Sequence, residues 1–124
     1  MIGALAVFLG GGIGASLRYL FSHTAKKYFG ITHWATFIIN ILGCLFLGFI
    51  ASLAIKNPQL FSSHFYLFLA TGIAGGFTTF STFSQENLAL LQDGKIFHSF
   101  SYIGLSLLVG LFAVYCGFEL AQFI

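Results

Sequence analysis

Charge is what this sequence has least of. Of its 124 residues only 6% are charged, five basic and three acidic. A water-soluble domain carries roughly a quarter charged residues to cover its surface, so water is excluded as the main solvent. The net charge of +2 is too small and too scattered to form a basic patch, which argues for no nucleic-acid partner. A basic leader is also missing: the first charge is Arg18, so the apolar start reads as a retained span rather than a signal peptide. The two cysteines, Cys44 and Cys116, each sit inside an apolar run and read as small packing residues, not a disulfide. His23, His33, His64 and His98 all lie near segment ends without metal-ligand spacing, as interfacial histidines would. Asp93, Glu86 and Glu119 are the only acids, and no nucleophile is paired with a base at an interpretable spacing, so an enzyme is not expected.

What is present is apolar. Hydrophobic residues make up 58% of the chain and aromatics 19%, with 17 phenylalanines, and the mean hydropathy is +0.96. Four charge-poor stretches, 2–21, 34–55, 65–91 and 97–120, can be read directly. Each reaches the roughly 20 apolar residues that cross a bilayer's hydrocarbon core. Each can cross only as a helix, because lipid satisfies no backbone hydrogen bond. The links are short: residues 23–33 with Lys26 and Lys27, then Lys56-Asn57-Pro58-Gln59, then Gln92-Asp93-Gly94-Lys95. The expectation is therefore an all-α membrane protein of one domain, with four transmembrane helices in an up-down bundle surrounded by membrane lipid. Lys26, Lys27 and Lys95, with Arg18 close by, outnumber Lys56 and the amino terminus, which favours loops one and three in the cytoplasm. Trp34, Tyr28 and Tyr66 fall where an aromatic belt would lie.

Gly10 and Gly14, and again Gly72 and Gly76, recur at the spacing that lets helix backbones approach closely. The densest polar stretch follows the second pair. Thr78, Thr79, Ser81, Thr82 and Ser84 put hydroxyls on every face of a helix, and Gln85, Glu86 and Asn87 come next. Isolated hydroxyls in a membrane helix usually bond back one turn and mean little. So many beside Gly75-Gly76 predict a helix that breaks near 75–78 and then lines a wet pathway, since irregular backbone survives at membrane depth only inside protein or along a cavity. The freed carbonyls there can hold a cation. Phe80 and Phe83, three apart, share one face. Ring edges carry partial positive charge and can replace part of an anion's hydration shell without binding it too tightly to move.

Asn40 is the one amide deep in an apolar run, with Thr36 one turn earlier; it serves either as an anion donor or as an interhelical hydrogen bond. Tyr102, Ser106 and Gly110 form a stripe in the fourth stretch. Arg18 either snorkels to the headgroups or places positive charge at a pathway mouth. Four helices enclose little, so a pathway implies a second copy of the chain.

These residues resemble the CrcB/Fluc family of fluoride channels. The likeness rests on Gly10-Gly11-Gly12-Ile13-Gly14 with Arg18, on Thr36 with Asn40 and Gly43, and above all on the run from Gly72 through Gly75-Gly76-Phe77-Thr78-Thr79-Phe80-Ser81-Thr82-Phe83-Ser84 to Glu86. The resemblance implies an antiparallel, dual-topology homodimer in the plasma membrane, with two pores for the fluoride ion and a structural Na+ at the dimer centre. By position the Na+ ligands are the carbonyls of Gly75 and Thr78. Phe80 and Phe83 match the pore phenylalanines, Asn40 the pore asparagine, Arg18 the vestibule arginine, and Tyr102 and Ser106 a polar track that Gly110 does not continue. Ser81, Thr82 and Thr36 complete the expected ion pathway. The implied activity is passive fluoride export, which lowers cytoplasmic fluoride and its toxicity. Two rivals are a proton-coupled multidrug-type antiporter, which needs a carboxylate inside the membrane where Glu86 and Glu119 lie toward segment ends, and a non-transporting membrane subunit. The inferred single orientation and the implied dual topology are in conflict, and the longer motif outweighs the charge count.

Overall fold

The computed structural model describes residues 1–30 and 33–124. Among them every regular element is helical. Helix α1 spans Ile2–Phe29 and stops at Gly30, whose left-handed φ of 64° lets its N–H reach the Lys26 carbonyl at 3.2 Å. The first stretch thus runs about two turns beyond the end expected at residue 21. Lys26 and Lys27, expected in a loop, lie on its last turn, where cations favour the negative end of the helix dipole. Helix α2 spans His33–Lys56.

After a turn through Asn57 and Pro58, Ser62 caps helix α3 by accepting the Phe65 N–H. Helix α3 covers 63–77. Its central part, Leu67–Ala74, is a π-helix, with the Gly75 N–H reaching back to the Ala70 carbonyl. The chain then leaves the helix at Thr78 (φ −77°, ψ 161°) and Thr79 (φ −150°, ψ 117°), both extended. Helix α4, Phe80–Gln92, starts afresh with Thr79 as its cap. A turn with Gly94 at φ 72° leads into helix α5, Ile96–Leu120, followed by a short 3-10 turn, Ala121–Phe123. Among the described residues three helices are long and apolar enough to cross a membrane: Ile2–Tyr28, His33–Lys56 and Ile96–Phe123. The interrupted α3–α4 segment is not continuous enough to count with them.

The bundle is built from two backbone-close helix pairs. Gly10 and Gly14 of α1 face Gly72 and Gly76 of α3. A Cβ on Gly14 would strike the Ile73 carbonyl, and one on Gly72 would lie 2.8 Å from the Gly10 Cα. Gly48 of α2 and Gly117 of α5 make the second close pair, against the carbonyls of Val114 and Leu45. Small residues at such crossings are how helices associate when lipid supplies no hydrophobic drive. Burial follows the same logic. Beyond Ile39 and Ile50, the buried apolar residues are alanines, and Thr36, Ser52, Thr79, Glu86, Asn87 and Ser99 are buried with them. Leu107, Leu108, Leu111 and Phe112 point outward. Large apolar side chains outside and polar ones inside invert the order of a water-soluble core.

Lys56 ends α2 with its ammonium on the Ala121 and Gln122 carbonyls at 3.1 Å, and Gln122 donates to the buried Ser52 hydroxyl at 2.9 Å. This fastens the end of α5 to α2. Cys44 and Cys116 are free thiols.

Substituting Gly14 by Val should lower the thermal midpoint of the purified protein, with a loss of about 1–3 kcal/mol or more from overpacking. Gly104, whose Cβ would meet nothing within 4 Å, should accept Ala without loss. Differential scanning fluorimetry on both variants checks the contrast.

Candidate functional site at the helix break

The break frees backbone groups that a continuous helix would pair, and side chains from α1 and α2 take them up. The Thr78 N–H and hydroxyl both donate to the Ala74 carbonyl at 3.0 Å, closing α3. The Thr78 carbonyl accepts from Arg18 Nη1 at 3.0 Å. Asn40 spans the next residue from both sides. Its Oδ1 accepts the Thr79 N–H at 2.8 Å, and its Nδ2 donates to the Thr79 carbonyl at 3.2 Å. One amide side chain thus replaces two backbone partners. The Thr79 hydroxyl accepts the Thr82 N–H at 3.2 Å, donates to the Thr82 hydroxyl at 3.0 Å and lies 3.3 Å from that of Ser81. The Thr78 methyl rests on Gly43, which leaves room for it because it has no Cβ.

A second cluster lies one to two turns further along α4. Glu86 is only 7% exposed. Its carboxylate accepts the Thr36 hydroxyl at 2.7 Å on one oxygen and the Tyr102 hydroxyl at 2.8 Å on the other. An unpaired carboxylate buried this far would be very costly; two short hydrogen bonds to the charged group offset part of that cost. Beside it, Ser99, 1% exposed, donates to Asn87 Oδ1 at 2.9 Å, and Asn87 Nδ2 donates to the Phe83 carbonyl at 2.9 Å. These bonds tie α4 to α5.

Aromatic rings flank the carboxylate. The Phe83 ring stands edge-on to Tyr102 with centroids 5.0 Å apart, and Phe80 follows at 5.8 Å from Phe83. Phe83 is half-buried, whereas Phe80 is 79% exposed on the outer surface of the chain. Ser106, one turn beyond Tyr102, encloses a hydroxyl that has no hydrogen-bond partner among the described residues. Gly75 is exposed, and among the described residues no N–H or O–H donates to its carbonyl.

The sequence-based candidates therefore separate into groups. Thr36 and Tyr102 converge on Glu86, with Phe83 edge-on to Tyr102. Asn40, Thr78 and Arg18 converge on the break, and Ser81 and Thr82 gather around the Thr79 hydroxyl. Phe80 and Gly75 face outward, and Ser106 is set apart by its unpartnered oxygen. Two expectations change, and Arg18 gains a partner. The hydroxyls do not surround one helix, because Thr78 and Thr79 are extended and Ser84 bonds back to the Phe80 carbonyl at 2.9 Å. Arg18, half-buried, donates to the Thr78 carbonyl at the break, a partner its place in the sequence did not indicate. Glu86, read as lying toward a segment end, is enclosed and central to its cluster. The signal for it was in the chain: an acid among apolar spans is expensive and needs partners, and Thr36 and Tyr102 were both already conspicuous. The Asn87–Ser99 pair and the Gly48–Gly117 crossing carried no comparable signal.

Long apolar helices, an inverted core and polar groups gathered at a broken helix define a multi-pass helical membrane protein. The chain belongs to the CrcB family, whose model, described as CrcB-like protein, Camphor Resistance (CrcB), matches residues 5–118. It is 44% identical over 117 residues to the fluoride-specific ion channel FluC of Flavobacterium psychrophilum, covering 94% of each chain. It is 48% identical over 120 residues to a protein of the same name from Clostridium perfringens, covering 96% of this chain and 93% of that one. FluC 1 of Ligilactobacillus salivarius is 44% identical over 113 residues, covering 91% of this chain and 94% of the relative.

Replacing Thr36 by Val should remove a hydrogen bond to a buried charged group and cost about 1.5–3 kcal/mol. Replacement by Ser, which keeps the hydroxyl, should cost much less. Equilibrium unfolding of the two variants in mixed micelles measures the difference.

Proposed function

We infer that this protein is a fluoride-selective ion channel of the plasma membrane that lets fluoride leave the cell passively and so limits its toxicity. The observation that carries this reading is the near full-length likeness to relatives named fluoride-specific ion channels, at 44% and 48% identity. No step of the export requires covalent chemistry, and the protein is not an enzyme. Fluoride enters as its neutral acid and is trapped as the anion at cytoplasmic pH. An inside-negative membrane potential then favours anion exit by about 2.3 kcal/mol per charge per 100 mV.

In this reading the broken α3–α4 segment is the fourth span of a single transmembrane domain, and the working unit is an antiparallel homodimer. The exposure of Phe80 and Gly75 supports a second copy, because both groups matter to the site yet face away from their own protomer. Lipid covers the outward leucines and phenylalanines of the other faces. The ion pathway passes Phe80 and Phe83, whose ring edges present partial positive charge to an anion. It continues along hydroxyl donors at Ser81, Thr82, Thr36, Tyr102 and Ser106, with Asn40 keeping one amide N–H free after bonding Thr79. Arg18 adds positive charge close to this path. Thr36 and Tyr102 donate to the Glu86 carboxylate when no anion is nearby. A passing fluoride must therefore take those donors from a resident negative group, which disfavours weakly hydrogen-bonding anions.

The central Na+ is held in this reading by the carbonyls of Gly75 and Thr78 from both subunits. The unpartnered Gly75 carbonyl fits a cation ligand. A bound Na+ would supply positive charge to carbonyl dipoles facing one another across the dimer centre. The dual topology remains at odds with the Lys26 and Lys27 charge bias, although the Arg18 bond to Thr78 removes one cation from the count near the membrane surface.

Purified protein in liposomes should release fluoride, and not chloride, under a potassium diffusion potential. Phe80→Ile and Phe83→Ile should each abolish that release while the protein still elutes as a dimer. Absence of fluoride release from the unmodified protein, or equal release of chloride, would overturn the assignment. A fluoride-selective electrode with a parallel chloride electrode reads both outcomes.

A further inference from the structure

We propose that Arg18 and the central cation compete for the Thr78 carbonyl, so that Arg18 sets how much Na+ the protein needs. The proposal rests on the cation reading above and concerns a residue that reading places elsewhere. Three observations carry it. First, Arg18 Nη1 donates to the Thr78 carbonyl at 3.0 Å, and that carbonyl is one of the two assigned to the cation. Second, the contact is imposed by the packing. Gly14, one turn before Arg18 on α1, is pressed against the Ile73 carbonyl and lies within 2.8 Å of the Phe77 N–H when given a Cβ. Arg18 therefore leaves α1 beside the break. Third, the guanidinium has no acidic partner: among the described residues the one ion pair joins Lys95 to Asp93 at 3.2 Å. A full positive charge thus rests at the break on a carbonyl dipole.

A carbonyl oxygen has two lone pairs, so geometry alone would allow an arginine and a cation together. Electrostatics opposes it. Two like charges within a few ångström repel strongly where water is excluded. The Gly75 carbonyl, which has no donor, remains open to the cation in either case, so the exchange takes place at Thr78. In the cation-poor protomer Arg18 satisfies the freed carbonyl. When Na+ takes that position the guanidinium is released toward the pathway, where it attracts anions. Cation binding and the position of a pathway charge are then linked, and the linkage is reciprocal.

Two measurements test this on the purified full-length protein in detergent, with N-methyl-D-glucamine replacing Na+ at constant ionic strength. Arg18 is the sole arginine of the chain, so phenylglyoxal labelling followed by peptide mass mapping reports on it separately from the amino terminus. Na+ should raise the labelling rate of the unmodified protein. A rate that Na+ lowers or leaves unchanged overturns the competition. In parallel, the Na+ concentration that half-saturates thermal stabilisation should fall at least about fivefold in Arg18→Gln, the lower end of typical coupling between sites. Arg18→Met, which keeps the apolar stem, serves if the Gln variant does not fold. An equal or higher midpoint in the variant overturns the competition and leaves the cation reading standing. Failure of Na+ to stabilise any of these proteins overturns both.

Discussion

An open backbone inside the bundle of a helical membrane protein is the constraint on which this structure depends. Where α3 stops at Thr78 and α4 starts at Phe80, a carbonyl, an N–H and a second carbonyl lose their helical partners, and lipid offers none. The chain meets the demand with two side chains from other helices. Arg18 takes the Thr78 carbonyl, and Asn40 takes both polar groups of Thr79. Those bonds require α1 and α2 to pass within side-chain reach of the break. The glycine contacts Gly10–Gly72 and Gly14–Gly76 bring α1 there, and Gly43 makes room for Thr78 on α2. The break and the packing are one arrangement: a bulky residue in either glycine row would move the clamps away from the groups they satisfy.

The same economy extends along α4. Once the helix restarts, its first turns carry Phe83, Glu86 and Asn87, and each is used. Asn87 and Ser99 hold α4 to α5, which sets Phe83 edge-on to Tyr102, and Tyr102 in turn reaches Glu86. A buried carboxylate is thus held between hydroxyls of α2 and α5. Phe80, by contrast, is 79% exposed, so half of the aromatic pair has no surroundings within its own chain.

Much of this was legible in the sequence, for reasons that differ by residue. The glycine rows at four-residue spacing mark backbone contact because nothing else in a lipid setting selects them, and they make it. The break was legible because a double glycine followed by hydroxyls is unlike the rest of an apolar chain. What could not be read was which partner each polar group would choose. Asn40 was open between donating to an anion and bonding another helix; the structure shows it bonding Thr79 twice. Arg18 was open between headgroups and a pathway mouth, and a carbonyl three ångström away was invisible without the fold. Glu86 was discounted by its place near a segment end, because linear distance from a loop says little about enclosure once three helices surround a site. The length of α1 was underestimated because Lys26 and Lys27 looked like loop residues, whereas a helix C-terminus welcomes them.

The central claim is that the break persists because side chains from neighbouring helices satisfy its backbone. Hydrogen–deuterium exchange over residues 76–84 of the protein in nanodiscs tests it most directly. The unmodified protein should protect the Thr79 amide as strongly as the helical amides around it. Asn40→Leu, in which nothing accepts that N–H, should exchange there at least about fivefold faster, since losing a buried hydrogen bond costs about 1–3 kcal/mol and 1.4 kcal/mol is a factor of ten. Equal protection in the two proteins would contradict the account.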